Sequence, residues 1–318
     1  MKQLLVLSGK GGTGKTTLSA AFVELLQAKA YADCDVDAPN LHLVMKPEVP
    51  GERENYSGMK KAIIDEEVCS GCGVCYMNCQ FEAIQQTLTQ KGTCYEVNPY
   101  LCEGCSVCQL VCEFDAVSMN EMIDGETEVF IIPNEEPTIF STAKLKMGSG
   151  SSGKLVTKVK TNLKSKWEDI YHIEKDDFQV GALQGGTLQA RTLDNEIAII
   201  DGSPGIGCPV ISSISGVSVV LLVVEPTVSG VSDMKRIAKV AKHFSVPVSI
   251  CVNKYDINKR ITEEIKDYAE NNTFCFAGVI PYDSQVCEVQ NQGLNVVQAK
   301  LPIVPNIQQI LDQTIKII

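Results

Sequence analysis

Short apolar runs alternate with stretches of helical period along much of this chain. Leu4–Leu7 is an unbroken apolar run and reads as a buried parallel strand. Leu18, Phe22, Leu25 and Leu26 then recur at helical spacing. Buried-strand runs return at Glu196–Asp201, Val219–Val224, Val248–Val252 and Phe276–Ile280. Strands alternating with helices predict a doubly wound parallel α/β sheet with ligands at the strand C-termini. Ile307, Ile310, Leu311 and Ile315 predict a last helix that packs on the core. Only Lys316 is available as a basic residue beside that face, which argues against a membrane-surface helix. The polar stretch Lys46–Met59 reads as a linker, Pro133–Pro137 as the turn of a hairpin, and Gly148–Gly153 as a flexible loop. Residues 166–193, with Trp167, Gly185 and Gly186, give no clear pattern.

The loop after the first strand is Gly9-x4-Gly14-Lys15-Thr16, a complete phosphate-binding loop in strand–loop–helix context. Gly9, Gly11, Gly12 and Gly14 let backbone N–H groups close around phosphate, flanked by Lys10, Thr13 and Thr17. The following helix points its positive end at the anion. Lys15 neutralises phosphate oxygens and Thr16 offers a hydroxyl to Mg2+. Asp33, Asp35 and Asp37 alternate soon afterwards. Acids so close to a phosphate site need Mg2+ or a catalytic role to offset their repulsion.

A second signal is an internal repeat. Residues 65–84 and 98–117 align at an offset of 33, with every cysteine on a cysteine. Each copy spells C-x2-C-x2-C-x3-C, the run that wraps cubane iron–sulfur clusters. Three thiolates at three-residue steps in a loop cap one cube. The fourth, on the following helix, points to the other. One 4Fe-4S set is therefore Cys69, Cys72, Cys75 and Cys112, and the other is Cys79, Cys102, Cys105 and Cys108. Gly71, Gly73, Gly104 and Ser106 let these loops turn tightly. Structural zinc favours paired C-x2-C units far apart instead.

The chain has 318 residues, enough for about two domains. No apolar run approaches the ~20 residues of a membrane span. A cytoplasmic setting follows, and there 14 cysteines point to metal ligation rather than disulfides. The net charge of −11 argues against nucleic-acid binding. Residues 61–120 carry eight acids and two bases, so a redox partner of positive potential is expected.

With its extra Lys10, the K-G-G-x-G-K-T-T loop resembles the deviant Walker A loop of the MinD/ParA superfamily, to which the nitrogenase iron protein and Mrp-like cluster carriers also belong. The cysteine repeat resembles a bacterial two-cluster ferredoxin. Together they resemble a MinD-superfamily ATPase with an inserted ferredoxin, and the segments D-C-D-V-D-A-P-N-L and D-G-S-P-G-I-G-C-P-V agree. The resemblance implies a P-loop ATPase over residues 1–59 and 121–318 and an α+β two-cluster domain over 60–120. It implies ATP, Mg2+ and an ATP-dependent homodimer in which Lys10 reaches the partner's phosphates. Asp35 would orient the attacking water and Asp201 would hold Mg2+ with Thr16, with Asp33 and Asp35 further candidates. Gly202–Gly207 would be switch II. Asn253 would meet the adenine edge, and Pro281 with Tyr282 and Asp283 would face the base. Cys208, near the position of a cluster ligand in the nitrogenase iron protein, lacks a partner cysteine and reads as a packed thiol. The main expectation is nucleotide-gated electron transfer to a partner protein. A cluster-assembly carrier and a MinD/ParA-like spatial organiser with a redox-sensing ferredoxin are the alternatives.

Overall fold

A computed structural model describes residues 1–89, 92–171 and 196–318. The residues Gly185 and Gly186 lie outside this set. In chain order the elements are β1 (Lys2–Ser8), α1 (Lys15–Leu26), β2 (Ala30–Asp33), α2 (Leu41–Met45) and β3 (Glu52–Ser57). Next come β4 (Lys61–Ile64), α3 (Val74–Met77), β5 (Ile84–Thr89), β6 (Gly92–Val97), α4 (Val107–Leu110) and β7 (Val117–Asn120). The chain continues through β8 (Ile123–Ile132), β9 (Thr138–Leu145), α5 (Ser152–Tyr171), β10 (Ile197–Asp201), α6 (Cys208–Ile214) and β11 (Val219–Val224). It ends with α7 (Val228–His243), β12 (Val248–Asn253), α8 (Lys259–Asn271), β13 (Cys275–Ile280), α9 (Gln285–Asn291) and α10 (Val304–Ile315).

Nine strands form one sheet in the order β13-β12-β11-β1-β10-β2-β9-β8-β3. The stretch from β13 to β9 is parallel throughout. Side chains of a strand alternate between faces, so one apolar run feeds two cores. Leu5 and Leu7 join the core beneath α5, α7 and α8, while Leu4 and Val6 join the one beneath α1 and α10. Ile307, Ile310 and Leu311 of α10 are fully buried, as its spacing predicts. The lone tryptophan, Trp167, is buried on α5 and packs against Tyr171 at 4.2 Å between ring centroids. Among the described residues no helix is long and apolar enough to cross a membrane.

The sheet departs from the all-parallel expectation at one edge. β8 runs antiparallel to β9, through the hairpin expected near Pro133–Pro137, and β3 runs antiparallel to β8. β3 also corrects the reading of Lys46–Met59 as a linker only. Its residues are almost all exposed, so no apolar alternation marks it. The backbone ladder to β8 holds it, and ion pairs flank it. Glu52 meets Lys166 at 2.8 Å, Glu54 meets Lys158 at 3.3 Å, and Arg53 meets Glu128 at 2.8 Å. Nor is Gly148–Gly153 all loop, because its last two residues open α5 and Gly153 is buried.

Between β3 and β8 the strands pair only with one another. β4 pairs with β7, and β5 with β6. The repeat is visible in the backbone. The pair Ile64–Val117 maps onto Val97–Ile84 when each residue is moved by the 33-residue offset. A small core of Ala62, Ala83, Ile84, Val117 and cysteines joins the two strand pairs.

Candidate functional site

The C-terminal ends of the parallel strands converge on one edge. β1 leads into the phosphate loop there, and β2 and β10 end in Asp33 and Asp201. Gly14 caps α1 with a φ of +92°, and Gly12 takes +78°. These left-handed conformations favour glycine and fold the loop back over the helix N-terminus.

Lys15 is buried at the centre. Its Nζ lies 3.0 Å from Asp201 Oδ1 and 3.8 Å from Asp35 Oδ2. Thr16 Oγ1 donates to Asp201 Oδ2 at 2.7 Å, and Ser19 Oγ donates to Asp201 Oδ1 at 2.9 Å. Burial pulls Lys15 down, but Asp201 and Asp35 outweigh it and hold its pKa above the ordinary value. Asp33 turns its carboxylate onto the chain that follows. Its Oδ1 accepts from the Asp35 N–H at 3.0 Å, and its Oδ2 accepts from Asn40 and Leu41 at 2.9 Å each. Burial, then the charge of Asp201, raises Asp33 to about 7. Burial raises Asp35 to about 6, with Lys15 opposing the rise. Three carboxylates thus face one lysine. The residues fit a divalent cation, which would supply the missing positive charge beside Thr16 and Asp201.

Lys10 is exposed, and its Nζ hydrogen-bonds Ser229 Oγ of the same chain. Asn253 packs against the phosphate loop. Its Nδ2 donates to Thr13 O at 2.8 Å, and its Oδ1 accepts from the Lys254 N–H. It lines a pocket together with Gly14, Thr17, Pro281, Tyr282 and Asp283. Two supporting groups escaped the sequence reading. Ser19 is a polar residue one turn past Lys15, within the otherwise apolar stretch from Leu18 to Val23, and that spacing was its only signal. Lys254 joins Glu225 Oε1 at 2.5 Å and reaches Gly12 O at 3.5 Å, with no motif to mark it. Cys208, expected to be packed, is exposed at the start of α6. A short turn there leaves its thiol outside while Gly153 lies against its Cβ.

Cys75, Cys79, Cys102, Cys108 and Cys112 pack in or against the small core. Cys75 sits on α3 and Cys108 on α4, while Cys79 and Cys112 lie just past those helices rather than on them. Each helix is too short to carry its fourth cysteine. The turns between thiols are tight. Gly71, Gly73, Gly104 and Ser106 all have positive φ, from +63° to +77°. One cavity is lined by Cys79, Cys102, Cys105 and Cys108 together. In the other set, Cys69 and Cys72 lie within electrostatic reach of Cys75, and Cys112 packs on the same core. The Val74 N–H and the Ser70 hydroxyl donate to Cys72 and lower its thiol pKa. Among the described residues no three potential ligands converge on a single metal ion. A cubane asks for something different, four thiolates around one space with N–H or O–H groups aimed at sulfur. The four thiols that line one cavity and the two donors to Cys72 fit that donor chemistry.

A model of the CobQ/CobB/MinD/ParA nucleotide binding domain family matches residues 4–296. The chain belongs to this family. It is 32% identical over 261 residues to the uncharacterized protein MJ0578 of Methanocaldococcus jannaschii, covering 80% of this chain and 79% of that protein. It is 27% identical over 326 residues to MJ0579 of the same organism, covering 92% and 90%. Its fold is similar to the septum site-determining protein MinD of Pyrococcus horikoshii, complexed with Mg-ADP. That likeness has a TM-score of 0.51 at 18% identity, over 98% of this chain and 94% of that one. Apo McdA from Cyanothece is similar at a TM-score of 0.52 and 15% identity, over 98% and 99%. As a MinD/ParA-type P-loop protein, the chain has a nucleotide-binding fold whose members hydrolyse ATP. The Lys15, Thr16 and Asp201 cluster lies within the matched region.

Proposed function

We propose that this protein is a cytoplasmic, ATP-driven dimer switch that carries two iron–sulfur clusters. The observation that carries the switch is the buried Lys15, 3.0 Å from Asp201 and 3.8 Å from Asp35, with Thr16 bonded to Asp201. Loop N–H groups and Lys15 gather the phosphate charge. Thr16 and Asp201 hold Mg2+, which supplies positive charge at the transferred phosphoryl group. Asp35 orients the attacking water. Lys10, exposed on the loop, leaves Ser229 to complete the site of a second copy.

The domain reading is an ATPase over 1–59 and 121–318 with a two-cluster domain over 60–120. The self-contained pairing of β4 with β7 and β5 with β6 supports it. Cys69, Cys72, Cys75 and Cys112 would hold one 4Fe-4S cluster, and Cys79, Cys102, Cys105 and Cys108 the other. Such clusters supply one-electron redox chemistry. Family membership supports the switch without naming its output. Likeness to MinD and McdA favours a spatial organiser with a redox sensor. The two complete four-thiol sets, with no open position, favour electron transfer gated by nucleotide over cluster donation.

The test uses anaerobic full-length protein with ATP, ADP or no nucleotide. Iron content, dimer state and the rate of electron transfer to a small acceptor are measured together. Electron transfer that changes with nucleotide supports the gated reading. Equal rates in all three, with a dimer that still responds to ATP, leave the organiser reading in its place. A Lys15→Met chain should lose every response to ATP.

A further inference from the structure

The two halves of the cysteine repeat are not electrostatically equal. The 33-residue offset maps Lys61 of β4 onto Cys94 of β6. Both are buried, at 5% and 4% exposure. Each reaches the first cysteine of the opposite half. Lys61 Nζ donates to the Cys102 carbonyl at 2.5 Å, whereas Cys94 is hydrogen-bonded to the Cys69 thiol. One structural position therefore presents an ammonium to one thiol set and a neutral thiol to the other.

Neighbouring charges mostly widen the difference. Glu66 acts on Cys94 and Glu113 on Cys72, both on the Cys69 side. The positions that the offset pairs with them are the neutral Pro99 and Gln80. Glu103 opposes this on the Cys102 side, lining the cavity, and like Glu66 and Glu113 it is exposed, so the buried Lys61 decides the sign. Water and salt screen an exposed carboxylate far more than a buried ammonium. A cluster becomes more negative when it takes up an electron, so the site beside Lys61 is favoured for reduction.

Resting on the iron–sulfur reading above, we propose that Lys61 makes the Cys79, Cys102, Cys105 and Cys108 site the higher-potential member of the pair. One electron from an external one-electron donor then settles at that site. When it arrives first at the Cys69 site, that site is reoxidised by one electron and the Cys102 site is reduced by one. The loop that receives it also touches the ATPase body. Tyr100, two residues before Cys102, lies against Gly148, where an added Cβ would stand 3.0 Å from its ring.

The experiment is an anaerobic redox titration of full-length protein followed by EPR, comparing wild type with Lys61→Met and Lys61→Arg. Wild type should show two midpoints separated by at least about tenfold in equilibrium constant, 59 mV for a one-electron couple. Lys61→Met keeps the stem but removes the charge, and should lower the upper midpoint by about tenfold or more while leaving the lower one. Lys61→Arg should keep both midpoints. Coincident wild-type midpoints overturn the proposal without reference to any variant. An unmoved upper midpoint in an iron-loaded Lys61→Met chain also overturns it. Wild type that takes up no iron on reconstitution overturns the cluster reading itself, a result distinct from either.

Discussion

Replacing Gly14 by alanine tests how the phosphate loop is braced. Gly14 holds φ at +92°, and an added Cβ would stand 2.5 Å from Asn253 Nδ2. The conformation alone costs an L-residue about 1–2 kcal/mol. The clash also drives the Asn253 amide off Thr13 O, which it meets at 2.8 Å. Loss of a buried bond that leaves its partner unpaired costs about 1–3 kcal/mol. Gly14→Ala should therefore lose about 2–5 kcal/mol of stability, and Asn253→Ala about 1–3. The double variant has room for the new methyl and loses the Thr13 bond only once. Its loss should fall short of the sum of the singles by about 1–3 kcal/mol. Urea denaturation of the nucleotide-free chains measures all three. Additivity within about 0.5 kcal/mol would refute the brace, because independent sites add to that precision.

Two further outcomes follow from the geometry. Asp33 and Asp35, raised to about 7 and about 6, keep their protons in the folded chain at pH values where the unfolded chain has released them. Without nucleotide and metal, these two groups should stabilise the fold most near pH 4 and progressively less as pH rises towards 7, so the stability of Asp35→Asn relative to wild type should grow with pH over this range; denaturant titrations in which that difference stays constant would contradict the assignment. In the cysteine repeat, a Cβ on Gly71 would stand 2.4 Å from Thr93 O, and one on Gly104 equally close to Lys60 O. Each alanine variant should therefore lose one thiol set, taking iron content from about eight to about four per chain, and retention of the full iron would sink that reading.

Much of this was legible in the chain because it rests on local rules. The phosphate loop needs glycines, a lysine and a threonine at fixed spacing, and strand burial on both faces leaves continuous apolar runs at β1 and β11. The repeat needs only that cysteine falls on cysteine. β3 was illegible because its residues are polar and its partners, Lys158 and Lys166, lie more than a hundred positions away on α5. That Asn253 also braces the loop through Thr13 O had no signal in the chain, because the contact is set by how β12 lies beside the loop.

The sequence by itself determined which chemistry the chain can carry: a phosphate loop, alternating acids and two four-thiol sets. Only the tertiary structure decided how the charges balance. Asp33, Asp35 and Asp201 share one buried lysine because parallel strands end side by side. Lys61 and Cys94 serve opposite halves of the repeat because the pairs β4–β7 and β5–β6 exchange places under the 33-residue offset. Spacing along the chain fixes what a residue can bind, but the strength of a charge depends on burial and neighbours, and those exist only once the chain has folded.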